Sequence, residues 1–180
     1  MYYDNKWNKK NPLLNPLSDD WFIWDPHIQN SGNWNVCIKC YTNMAEIIAT
    51  NLRNNIGSSD NIYNILGFLF CIRQATELSL KQLWEIKQLN IKDLNNLHDL
   101  KKLYNKINNL YDWNNYGIIK EKFVDALEFM QDKNEIFRYP YDKKKNNYEI
   151  VAIHLSDWLF LVHALYYIIT EEQERNEANA

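Results

Sequence analysis

After residue 34 this 180-residue chain contains a single proline, Pro140, and its whole length holds only four glycines. An all-β domain needs turn residues every ~8–12 positions, and this chain cannot supply them. Long helices joined by few breaks are what such sparse punctuation permits. The fold class it implies is all-α: an antiparallel bundle of about five helices. The hydrophobic fraction of 46% is enough for a sizeable single-domain core, and charged residues, at 24%, stay near the globular norm. The net charge of −3 provides no global basic field for nucleic acid or anionic lipid, which leaves room only for a local basic patch.

Three of the four prolines (Pro12, Pro16, Pro26) and four of the seven tryptophans (Trp7, Trp21, Trp24, Trp34) fall within residues 1–34. Proline at that density stops long helices, and large indole rings want burial. Residues 1–34 therefore read as an irregular arm, either packed over a helical body at 35–175 or reaching a partner. Residues 176–180 read as a disordered tail. The N-terminus lacks an apolar signal-peptide core, and three sparse cysteines do not make a disulfide framework. Together these predict a reducing, cytoplasmic setting.

Apolar spacing predicts the individual helices. The first starts after Asn33 or Asn35 and runs to about Asn55, with Val36, Cys40, Met44, Ile47, Ile48 and Leu52 expected inside. The second covers about 61–89 and buries Ile62, Ile65, Leu66, Leu69, Ile72, Leu80 and Leu83. A third covers about 97–110, with Leu97, Leu100, Leu103, Tyr104, Ile107 and Leu110 on its apolar face. A fourth covers about 118–134 and buries Ile119, Phe123, Ala126, Leu127 and Met130. The last covers about 148–172. Its run from Ile150 to Ile169 is nearly long and apolar enough to span a bilayer. His154, Asp157 and His163 within it favour a central buried helix instead, and no membrane partner is expected. Such a helix also suggests a contact between two copies of the chain.

Several side chains stand out. Arg73, Glu77 and Lys81 recur at i, i+4 and form a charge ladder, either solvated or bordering the core. His98, placed at the start of the third helix, is disfavoured as a cation there and is expected to bond Glu77 or a backbone group. His154 has Asp157 at i+3, a pairing that can tune a general base. Its nine-residue separation from His163 points the two rings to roughly opposite sides, so they cannot share a metal. Cys37 and Cys40 form a CxxC with no second ligand pair, and they read as core cysteines rather than a zinc site. No cofactor or metal is expected. The loop from Phe137 to Lys145 combines Arg138, Tyr139 and Tyr141 with Lys143, Lys144 and Lys145 just ahead of the last helix. It reads either as a solvated charge run or as a phosphate-holding segment with stacking rings.

The strings RQATELSLKQLWEI, LHDLKKLY and FRYPYD, followed by a final apolar helix, resemble the HEPN superfamily over about residues 60–170. The resemblance implies a four- to five-helix bundle that dimerises through its last helices. It also implies a metal-independent ribonuclease or RNA-binding role in prokaryotic defence or toxin–antitoxin modules, with RNA and a cognate protein as partners. Active members carry an Arg, four to six residues and then a His near the start of a late helix. There the histidine handles protons and the arginine stabilises phosphate charge. None of Arg53, Arg73, Arg138 and Arg175 has a histidine at that spacing. What the resemblance leaves is a degenerate, non-catalytic subunit, or an enzyme using Arg138 and His154 with Lys143, Lys144 and Lys145 on the RNA backbone.

Overall fold

The structure, a computed structural model, describes residues 34–57, 61–87, 98–132 and 153–178. Five α-helices account for most of these residues: α1 (Trp34–Asn54), α2 (Asn61–Ile86), α3 (Leu100–Ile107), α4 (Lys120–Asp132) and α5 (Leu155–Ala178). A 3₁₀ turn, Trp113–Tyr116, lies between α3 and α4, and no strand occurs among the described residues. The all-α bundle is therefore what the chain forms. The N-terminal arm at 1–33 and the loop at 133–152 lie outside the described residues.

α2 is the centre of the bundle. It is about 39 Å long at 1.5 Å per residue and packs against α1, α3 and α5. Leu69, Ile72, Leu80 and Leu83 are buried along it, together with Phe68, Cys71, Ala75 and Trp84. The last helix is not the central one. Ser156, Asp157, Phe160, His163 and Tyr167 of α5 are exposed, while Leu161, Val162, Leu165, Ile168 and Ile169 face inward. No helix among the described residues is long and apolar enough to cross a membrane.

α1 presents a different face to the core from the one its large apolar residues suggest. Ile38, Thr42, Ala45, Ala49 and Leu52 are buried. Val36, Met44 and Ile47 are exposed, Cys40 is exposed, and Cys37 is half-buried. The two sets of residues lie on nearly opposite sides of the helix, close to half a turn apart. Small residues win because α1 lies close against α2: Ala45 and Ala49 let the backbones approach, and a Cβ at Gly67 would sit 3.5 Å from the Ile48 side chain.

The remaining boundaries follow from local chemistry. α3 begins after Asp99, whose carboxylate accepts the Lys102 N–H at 3.0 Å and satisfies one orphan donor of the first turn. His98 thus precedes the cap instead of opening the helix. Leu110 lies past the helix end and is exposed, and Ile118 is buried while Ile119 is exposed, against the spacing. α5 begins at Leu155, and the His154 carbonyl accepts the Asp157 N–H at 3.1 Å, so His154 stands at the helix entrance. The helix continues to Ala178, making residues 176–178 helical rather than a tail.

Trp113 is fully buried, its indole N–H donates to the Asn108 carbonyl at 2.8 Å, and Tyr104, Tyr111 and Phe123 ring it. Gly117 closes the turn at φ +71°, where any Cβ would also meet the Phe160 ring at 3.2 Å. Trp113→Ala should lower the unfolding free energy by about 3–5 kcal/mol, whereas Met44→Ala on the exposed face of α1 should change it by less than about 0.5 kcal/mol. Urea denaturation of both variants checks the assignment. A large loss for Met44→Ala would show that its face is covered.

Candidate functional site

The i, i+4 spacing of Arg73, Glu77 and Lys81 lines their side chains along one side of α2, and the helix is buried there. Arg73 is 2% exposed, Glu77 5% and Lys81 7%. The Arg73 guanidinium donates to Glu77 Oε2 at 2.9 Å, and Lys81 Nζ donates to Glu77 Oε1 at 2.8 Å. His98 Nδ1 meets the same Oε1 at 2.9 Å, and Arg73 Nη2 donates to the His98 carbonyl at 3.2 Å. One carboxylate therefore gathers two cations and an imidazole, and Arg73 also ties the segment before α3 onto α2. Trp34 of α1 completes the surround, its ring 5.9 Å from Lys81 Nζ.

Burial pushes the Glu77 carboxyl up. The hydrogen bonds from Lys81 and His98 and the charges of Lys81 and Arg73 outweigh it and hold the group below its ordinary value. Glu77 is thus an anion held by its neighbours, not a proton donor. Six polar side-chain atoms on this helix, Asn61 Oδ1, Arg73 Nε, Thr76 Oγ1, Ser79 Oγ, Gln82 Oε1 and Trp84 Nε1, are buried without a hydrogen-bond partner. So many polar side chains inside one helix are uncommon, since each buried unpaired group costs about 1–3 kcal/mol.

A second cluster forms at the entrance of α5. His154 Nδ1 lies 3.0 Å from Asp157 Oδ1, and both side chains are largely exposed. Arg53, in the last turn of α1, reaches across to donate to Ser156 Oγ at 3.1 Å. Arg138, Tyr139, Lys143, Lys144 and Lys145 lie outside the described residues. The arginine that the fold delivers to this end is Arg53, which sequence spacing had not singled out; a contact spanning 103 positions leaves no local pattern. His163 lies elsewhere on the same helix, 2.8 Å from Glu46 of α1. No group of His, Cys, Asp or Glu among the described residues has metal-holding geometry.

Between the end of α2, the 3₁₀ turn and α5 lies a cleft of about 430 Å³ lined by Lys87, Tyr111, Tyr116, Tyr167, Glu172 and Arg175, among others. Its charges are largely spent on one another. Glu172 is buried and bonds both Lys87, at 2.5 Å, and Arg175, at 2.9 Å. The Tyr111 hydroxyl donates to the Leu83 carbonyl at 2.6 Å, and burial pushes its phenol far above the ordinary value.

Comparison of the chain with family models, curated proteins and solved structures gave no match. Its chemistry must be tested on its own residues. Glu77→Gln removes the anion but not the two buried cations, so it should destabilise the fold by about 3–5 kcal/mol. Because the folded carboxyl titrates below the ordinary value of 4.5, its contribution is full above that pH and disappears as pH falls through the folded value. Chemical denaturation across acid pH should therefore show wild type losing stability in this window and Glu77→Gln losing less. Parallel curves would remove the role assigned to Glu77.

Proposed function

We propose that this protein is a HEPN-like helical subunit of a prokaryotic defence or toxin–antitoxin module, one that binds RNA or a cognate protein without cleaving RNA. The observation that carries the reading is the fate of the residues behind the resemblance. Arg73, Glu77 and Lys81 are sealed in the bundle and bonded to one another, and His98 closes on Glu77. Held this way, they brace a scaffold rather than meet a substrate. The binding end is the entrance of α5. Arg53, Ser156 and His154 stand exposed there, beside the positive pole of the helix. Arg138, Tyr139, Lys143, Lys144 and Lys145 precede it in sequence and supply further phosphate and stacking contacts.

The alternative is an active, metal-independent endoribonuclease using Arg138 and His154. One observation favours it: with Nδ1 directed at Asp157, His154 keeps Nε2 for proton transfer. A homodimer through α5 belongs to both readings, and the exposed Phe160 and Tyr167 are suited to that contact.

Fluorescence anisotropy with single-stranded RNA tests the binding reading. Binding should weaken with salt, and each of Arg53→Ala and Lys144→Ala should reduce the slope of log K against log salt by about 0.7. Wild-type binding without salt dependence would end the RNA half of the proposal. Incubation of a mixed RNA pool with chelator separates the alternatives. Cleavage lost in both Arg138→Ala and His154→Ala would establish the enzyme, and intact RNA would leave the binding subunit. Light scattering should give twice the chain mass, reverting to one chain in Phe160→Asp; a monomeric wild type would exclude the dimer.

A further inference from the structure

The cleft between the end of α2, the 3₁₀ turn and α5 has the volume of a small-molecule site, about 430 Å³. Two cations and three carboxylates line it: Lys87 and Arg175 against Asp112, Glu171 and Glu172. The lining is thus one negative charge away from neutral. Glu172 takes up both cations, while Glu171 bonds Arg175 again and accepts from the Tyr167 hydroxyl at 2.7 Å. Asp112 is left over. It stands exposed at the start of the 3₁₀ turn and its side chain makes no cap hydrogen bond. No cation pairs with it among the described residues.

Phenol rings form much of the remaining wall. Tyr116 and Tyr167 meet edge to face with centroids 6.1 Å apart. Lys87 Nζ lies 4.8 Å from the Tyr111 ring centre, so one ring of the cleft already carries an ammonium on its face. The bond to Glu171 pushes the Tyr167 phenol up, and burial does the same for Tyr111. Both therefore stay neutral and present the negative face of a π system. Leu110, 43% exposed, adds hydrocarbon to the same lining.

These groups select by charge. An anion entering the cleft would meet three carboxylates and find both cations engaged. A neutral apolar molecule would strip water from Asp112 without replacing its hydrogen bonds. A protonated amine gives Asp112 a charge-assisted hydrogen bond and covers the rings at the same time. We propose that this cleft binds a small protonated alkylamine, its ammonium on Asp112 and its carbon stem against Leu110 and the tyrosine rings. The site is separate from the entrance of α5, since Ser156 and Glu171 stand about 22 Å apart along that helix. It does not depend on RNA binding there.

The full-length protein, freed of nucleic acid, is titrated with putrescine and followed by amide NMR. Salt at about 0.15 M screens exposed charges beyond ~8 Å. Butane-1,4-diol and succinate serve as the neutral and anionic four-carbon counterparts. Putrescine should give saturable shifts, largest at residues 110–117 and 167–175, and the other two should give none. Asp112→Asn changes a side chain that caps nothing, so the fold should persist. It should weaken putrescine by about tenfold or more, the worth of one charge-assisted hydrogen bond. Tyr167→Leu, at an exposed position, should weaken it too. No shift with putrescine, equal shifts with the diol, or succinate shifts at these residues would overturn the proposal. So would unchanged affinity in either variant, because diffuse attraction to the net charge of −3 needs neither side chain.

Discussion

A carboxylate placed between two cations inside a helix bundle cannot be a bystander, and Glu77 holds that position. Its charge offsets those of Arg73 and Lys81 where water is excluded, and its second function is geometric. Through Arg73 and His98 it fixes where the chain re-enters the bundle ahead of α3. α3 in turn positions Tyr104 against Trp113 and Phe123, so the aromatic packing at the 3₁₀ turn depends on a network one helix away. Apolar side chains of matching volume would pack in α2 at less energetic risk. The polar set makes one register of α2 against its neighbours far better than any other, because a shifted helix would leave three charges without partners.

Where the sequence was legible and where it was not follows from what sets each feature. Helix number and approximate extent depend on breakers and periodicity, both of which are local, and α1 to α4 start or stop within a few residues of where spacing puts them. The depth of the ladder is not local. Spacing puts Arg73, Glu77 and Lys81 on one line, but only the helices around α2 decide whether that line meets water. The inner face of α1 misled for the opposite reason. Val36, Met44 and Ile47 are the large apolar residues, yet close helix contact selects Ala45 and Ala49. Boundaries shifted where one side chain took over: the Asp99 cap excludes His98 from α3, and His154 stands ahead of α5. Arg53 beside Ser156 had no signal at all, since only the folded chain brings the end of α1 to the start of α5.

The chemistry is accordingly divided. Buried charge in α2 serves the scaffold, while the groups available to a ligand lie at helix ends: Arg53 at the end of α1, and His154 and Ser156 at the start of α5. A rigid interior with reactive or binding groups at its rim lets one be altered without loss of the other. The proposed phosphate binding and the chain's mild negative charge are compatible on this basis, because attraction for phosphate needs only one positive end.

The polar contacts between α1 and α5 join residues 103, 117 and 138 positions apart. α1 and α2, by contrast, are neighbours in sequence joined by a short turn. Loop-closure entropy therefore falls almost wholly on the last helix, which must return across nearly the whole described chain to find its place. α1 and α2 can pair as soon as both exist, and α5 docks afterwards onto a face already formed. A chain cut short before Leu155 would leave the inner side of α2 facing water, and truncation there should produce aggregation rather than a smaller folded unit.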